Sequence, residues 1–132
     1  MKSSDGICRL KRFEVEEKRR KVADIEAMIN DFNQMALDLD RQIDIEQERA
    51  GVADVNHFAY PTFAKAAIQR RDNLRASAAD LEAKLASARD ALTEAGAELK
   101  RFELLDGREA DRIKHDPRQA ELASGALQRA AG

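Results

Sequence analysis

The sequence predicts an all-α protein in which two long helices fold back on each other as an antiparallel coiled-coil hairpin. Its composition is typical of long helices, because Ala, Leu and charged residues dominate and only two prolines and six glycines occur. The apolar residues recur every seven positions in two separate runs. Residues 51–61 are the only long interruption between these runs, and we expect the chain to reverse there.

Length and charge narrow the class of protein. The chain has 132 residues, of which 36% are charged and 5% aromatic, a poor composition for a compact core. The formal net charge of −2 provides no overall attraction to nucleic acid. A single cysteine and the lack of a long apolar run predict a soluble cytoplasmic protein, for which any membrane contact is peripheral.

The first helix is expected from about residue 6 to residue 50, capped by Ser3, Ser4 or Asp5. A helix of about 44 residues would be roughly 65 Å long and needs a partner along its side. The residues of its predicted apolar seam are Val15, Val22, Ile25, Ile29, Phe32, Ala36, Leu39 and Ile43, with Lys18 and Glu46 as polar members.

The second helix is expected from about residue 62 to residue 115. Gly51 suits the end of the first helix, and Pro61 suits the first turn of the second. Its predicted seam comprises Ala64, Ala67, Arg71, Leu74, Ala78, Leu81, Leu85, Ala88, Leu92, Ala95, Leu99 and Phe102. Residues 1–117 would form the hairpin, and residues 118–132 a flexible tail.

The two seams can be aligned by matching large residues with small ones and opposite charges with each other. The best alignment sets Ile43 against Leu74. It also predicts two ion pairs between the helices, Glu46 with Arg71 and Lys11 with Asp106.

The sequence offers no motif for catalysis. It has no phosphate-binding loop, nucleophile elbow or paired metal-binding histidines. His57 and His115 are expected at opposite ends of the hairpin, where they cannot share a metal. We therefore expect no enzyme activity, no metal and no cofactor.

Two surfaces stand out instead. Phe63, Ala67, Arg70 and Leu74 follow helical spacing and form one stripe beside the connector rings Phe58 and Tyr60. The stripe is either a docking surface for a partner or part of the seam, with Phe63 covering the end of the hairpin.

The second surface lies near the two termini of the hairpin. Its apolar residues, Leu10, Phe13, Leu104 and Leu105, fall outside the seam and lie among many basic side chains. It is either a second docking surface or a solvated face.

Four segments resemble the FliJ family of flagellar type III export, in its α-proteobacterial branch. They are Arg9-Leu-Lys-Arg-Phe13, Glu17-Lys-Arg-Arg20, Asn56-His-Phe-Ala-Tyr-Pro-Thr-Phe63 and Gln69-Arg-Arg-Asp-Asn-Leu74. The likeness covers roughly residues 5–105. It implies a hairpin similar to the central stalk of rotary ATPases, which acts in flagellum biogenesis, binds the export ATPase hexamer and the cytoplasmic domain of the export gate, and handles export chaperones.

The resemblance also implies which residues bind these partners. Those that the resemblance places in the gate contact are Phe63, Ala67, Arg70 and Leu74, although many relatives have a bulkier apolar residue at position 67. The connector rings Phe58 and Tyr60 are expected to join this contact, because a turn with no core beneath it can bury its rings only against itself or a partner. Those expected to bind the ATPase are Leu10, Arg12, Phe13, Lys100, Arg101 and Leu104.

Three alternatives remain from the sequence alone. The chain could be a structural coiled-coil adaptor or spacer, either as a monomeric hairpin or as a dimer of long helices. Residues 9–21 could bind nucleic acid or an anionic membrane, which would show as a steep loss of binding with added salt. Enzyme activity is the most distant alternative.

Overall fold

The computed structural model of the protein describes residues 2–115, and the side chains of residues 5–114. This part of the chain folds into two α-helices, α1 (Lys2–Ala50) and α2 (Thr62–His115), and contains no strand. The predicted tail, residues 118–132, lies outside the described residues. No helix within residues 2–115 combines the length and the apolar character that a membrane-spanning segment needs.

The start of α1 differs from the expected one. The helix begins at Lys2, so the predicted capping residues Ser3, Ser4 and Asp5 lie inside it and do not precede it. Asp5 belongs to the first turn, where a carboxylate is favoured by the positive end of the helix dipole. Cys8, only 3% exposed, is buried close to this end of the helix.

Gly51 ends α1 by adopting a backbone conformation that other residues rarely take. Its φ angle is 67°, in the left-handed region, and its N–H donates a hydrogen bond to the carbonyl of Glu48 at 3.3 Å. At the start of α2, the carbonyl of Pro61 accepts a hydrogen bond from the N–H of Lys65 at 3.1 Å. Proline is well placed here because the first amides of a helix lack partners within the helix.

The chain divides into two units. The central unit is Lys18–Ala91, and the terminal unit combines Met1–Glu17 with Leu92–Gly132, of which residues 2–17 and 92–115 are described. In the central unit Glu26 pairs with Arg89, and Asp40 pairs with Arg71. Because a residue further along α1 pairs with an earlier residue of α2, the two helices pack antiparallel.

The core of the central unit is narrow and rich in alanine. All of its buried helical residues occupy positions that the seven-residue pattern assigned to the seam. They are Val22, Ile25, Ile29, Ala36, Ile43, Ala64, Ala67, Ala78, Leu85 and Ala88. The pattern predicts burial well because one stripe of each helix faces the other helix.

The core of the terminal unit is smaller. Cys8 and Val15 of α1 are buried, while Leu99 and Phe102 of α2 are half-buried. The ammonium group of Lys11 lies 5.4 Å from the centre of the Phe102 ring, a cation–π arrangement. The side chain of Lys11 is therefore part of the contact between α1 and α2, as its position in the seam predicts.

Both predicted ion pairs between the seams are wrong. Arg71 binds Asp40 at 2.9 Å, and Glu46 is paired within its own helix, with Arg49 at 3.3 Å. Lys11 binds Glu98 at 2.9 Å, about two helical turns before the predicted Asp106. Long cationic side chains can reach more than one carboxylate, so charge matching alone did not determine the partners.

Candidate functional site

The connector between α1 and α2 is built from two successive turns. The N–H of His57 donates to the carbonyl of Asp54, and the N–H of Tyr60 donates to the carbonyl of His57, both at 3.0 Å. Two side chains also accept backbone hydrogen bonds: Asp54 Oδ1 from Asn56 at 2.9 Å, and His57 Nδ1 from Ala59 at 3.0 Å. These local bonds give the connector a defined conformation.

Tyr60 attaches the connector to α1. Its side chain is only 7% exposed, and its hydroxyl oxygen accepts a hydrogen bond from Gln47 Nε2 at 2.9 Å. A buried tyrosine normally finds such a partner for its hydroxyl. Tyr60, expected from the sequence to join the contact with a partner, therefore stabilises the connector from within in this conformation.

Two other rings are exposed. The Phe58 side chain is 96% exposed and stacks on the ring of His57, with 4.6 Å between ring centres. Phe63, in the first turn of α2, is 55% exposed. Large aromatic side chains left in water are favourable anchors for a partner, because burying them on binding contributes much of the interaction energy.

The remaining members of the predicted stripe divide between surface and core. Ala67 is buried, Leu74 is half-buried and Arg70 is exposed. Leu74 and Arg70 line one wall of a groove of about 190 Å³, and Met35 and Leu39 line the opposite wall. The surface that a partner can reach is therefore formed by Phe58, Phe63 and Arg70, with the edge of Leu74; we call these four residues the connector surface.

The second predicted surface lies in the terminal unit and is open to solvent. Leu10, Phe13 and Leu104 are 54%, 62% and 57% exposed. The three basic residues expected to act with them, Arg12, Lys100 and Arg101, are also exposed. We call these six residues the terminal surface.

The terminal surface has two further features. Arg12 Nε lies 3.6 Å from a carboxylate oxygen of Glu103. This arginine of the terminal surface therefore also links α1 to α2. Ile7, 42% exposed, was not singled out by the sequence analysis. Its position three residues before Leu10 was the available signal, because residues three apart lie close together on a helix surface.

Two charged residues between the helices have shifted pKa values. The hydrogen bond to Glu98 raises the pKa of Lys11 above its ordinary value, and the hydrogen bond to Asp40 raises the pKa of Arg71. Both shifts favour the charged forms, so neither group is prepared to exchange protons near neutral pH. Their role in the structure is to hold α1 against α2.

The His, Cys, Asp and Glu side chains of the described residues form no group of three that could hold a metal ion. His57 lies exposed in the connector, and His115 is the last residue of α2. The described residues therefore present two exposed surfaces with apolar and basic side chains, the connector surface and the terminal surface.

Comparisons with protein-family models, with curated proteins and with solved structures found no match.

Proposed function

We propose that the protein is a component of the flagellar type III export apparatus, a coiled-coil stalk that binds the export ATPase hexamer and the cytoplasmic domain of the export gate. In this role it is not an enzyme and needs no cofactor. It works in the cytoplasm, reaches the membrane only through its partners, and assists the handling of export chaperones. The resemblance of residues 5–105 to FliJ supports the proposal, as does the antiparallel packing of α1 and α2.

The observation that carries the proposal is the exposure of Phe58 and Phe63 beside a connector that is already closed. The hydrogen bond between Gln47 and Tyr60 and the two turns hold the connector without either phenylalanine. Exposed rings that contribute little to folding are better explained by a partner. In our proposal they bind the export gate, with Arg70 supplying a cation beside them.

The terminal surface is the proposed contact with the ATPase. Leu10, Phe13 and Leu104 supply apolar area, and the cations beside them suit a partner surface with acidic groups. Stalk-like coiled-coil packing would keep the helix pair stiff enough to connect the ring to the gate. This arrangement assigns a different unit of the chain to each partner.

The experiment that tests this function uses a bacterial strain from which the gene has been deleted. Expression of the wild-type chain should restore export of flagellar hook and filament subunits into the medium. Expression of the Phe58→Ser/Phe63→Ser variant should restore much less, at an equal protein level. Full export with this variant, or normal export in the deletion strain, would contradict the proposal.

A structural adaptor or spacer is the second candidate. It is favoured by the burial of Tyr60 and Ala67, two residues that the sequence analysis expected in the gate contact but that pack inside the central unit. If the connector serves only to reverse the chain, Phe58 and Phe63 can be replaced by serine without loss of function. The export experiment therefore separates the two candidates.

A further inference from the structure

A second groove lies in the central unit, away from the residues of the connector surface. It has a volume of about 350 Å³ and is formed by both helices. Ile25 of α1 and Ala88 of α2 supply buried apolar parts of its lining. Three lysines also line it, Lys18 and Lys21 from α1 and Lys84 from α2.

The positive charge of this groove has no partner within the described residues. Lys18, Lys21 and Lys84 are all exposed, and none of them forms an ion pair with another residue in the described range 5–114. The nearby pair of Glu26 with Arg89 joins the helices without using any of the three lysines. Three cations from two helices around one groove therefore attract an anionic ligand.

The shape of the groove narrows the choice of ligand. Ala83, Ser87 and Ala91 follow one another at intervals of four residues along α2, and all three line the groove. A row of short side chains at this spacing leaves a depression into which the ridge of another helix can pack. A small anion would bury none of the apolar lining, and a lipid surface is too flat to enter the groove.

We propose that this groove binds one acidic amphipathic helix of a partner protein. The apolar face of that helix packs on the row formed by Ala83, Ser87 and Ala91, and its Asp or Glu side chains pair with the three lysines. A second copy of this chain is a poorer occupant, because the buried apolar residues of α1 and α2 already face each other. The inference rests on residues that the export proposal does not use.

The probe for the test is a synthetic peptide of three heptads, with leucine on its apolar face and glutamate on both flanks. Its matched control has lysine in place of every glutamate. The full-length chain should bind the acidic peptide at least about tenfold more tightly than the basic one, measured by fluorescence anisotropy. Neither peptide contains the ATPase or the gate, so the result is independent of the export function.

Variants of the chain locate the binding site. The triple change Lys18→Glu/Lys21→Glu/Lys84→Glu should weaken binding of the acidic peptide at least about tenfold. The change Lys65→Glu, at an exposed lysine of α2 outside the groove, should have little effect. Ser87→Trp should block the groove without altering its charge. Circular dichroism verifies that each variant keeps its helices.

Several outcomes would overturn the inference. Equal binding of the two peptides, or unchanged binding by the triple lysine variant, would show that the groove does not recognise an acidic helix. A dimer in light scattering that the triple variant dissociates would identify a second copy as the occupant. Lysine-dependent binding to phosphatidylglycerol vesicles, with no binding of the acidic peptide, would identify a membrane surface as the ligand.

Discussion

Gln47 and Tyr60 join the last part of α1 to the connector: Gln47 Nε2 donates a hydrogen bond to the Tyr60 hydroxyl oxygen at 2.9 Å. The tyrosine ring is buried, whereas the neighbouring Phe58 is almost fully exposed. One ring therefore stabilises the fold, and the other is available to a partner. This difference between two rings in one short segment underlies the functional proposal.

Tyr60→Phe should lower the free energy of unfolding by about 1 kcal/mol, because it removes one partly buried hydrogen bond and keeps the ring. Gln47→Ala should cost a similar amount, and the double variant should cost less than the sum of the two single changes. Urea unfolding followed by circular dichroism measures these effects. Phe58→Ala is the control, and it should leave stability unchanged because the ring contributes little to the packing.

Ala64→Leu should destabilise the protein by about 1–3 kcal/mol, since the added atoms must be fitted into a packed contact between helices. Ala64 is 0% exposed, so its methyl group is fully covered by other atoms of the protein. Ala66→Leu is the matched control, two residues further along the same helix at an exposed position. If both variants had the same stability, α2 would not pack on α1 through the face that contains Ala64.

Asp40→Asn should lower the free energy of unfolding by about 1 kcal/mol, because Asp40 binds both Arg71 and Arg75 and is itself partly buried. Glu26→Gln breaks the more exposed pair with Arg89 and should cost about 0.5 kcal/mol or less. Unfolding measured at low and high salt tests the contribution of charge to these costs. High salt should reduce the difference in unfolding free energy between wild type and Asp40→Asn. A larger loss of stability for Glu26→Gln than for Asp40→Asn would contradict the predicted order of the two pairs.

Alkaline pH should weaken the contact between Lys11 and Glu98. The pKa of Lys11 is raised in the folded protein, so its contribution is complete below the ordinary value of 10.5 and is lost as the pH rises through the folded pKa. Glu98→Gln removes the main cause of the shift. The stability difference between wild type and Glu98→Gln should therefore stay constant up to about pH 10 and shrink as the pH rises above 10.5. A difference that stays constant over the whole range would mean that the ammonium charge does not contribute.

The core could be predicted from the sequence because a helix pair buries one stripe of each helix. Val22, Ile29 and Ala36 recur every seven residues, and all are buried. Cys8 follows the same spacing, seven residues before Val15, but the sequence analysis used this single cysteine only to infer the cellular compartment. Lys18 also fits the spacing and is nevertheless exposed, because its long side chain can leave the contact between the helices and reach solvent.

The candidate site was harder to predict. Helical spacing places Phe63, Ala67 and Leu74 on one stripe, but it does not tell how that stripe is oriented toward α1. In the structure, packing against α1 buries Ala67, covers part of Leu74 and leaves Phe63 exposed. The role of Tyr60 in the fold could not be predicted, because its hydroxyl binds Gln47, thirteen residues away. Local sequence patterns do not identify such a partner.

The measurement that tests the central proposal most directly is the affinity of the full-length chain for the export ATPase and for the cytoplasmic domain of the export gate, both from the same bacterium. Phe63→Ala should weaken binding to the gate at least about tenfold and leave binding to the ATPase unchanged. Phe13→Ala should do the opposite. If the wild-type chain binds neither protein, or if the two variants affect both partners equally, the assignment of one surface to each partner is wrong.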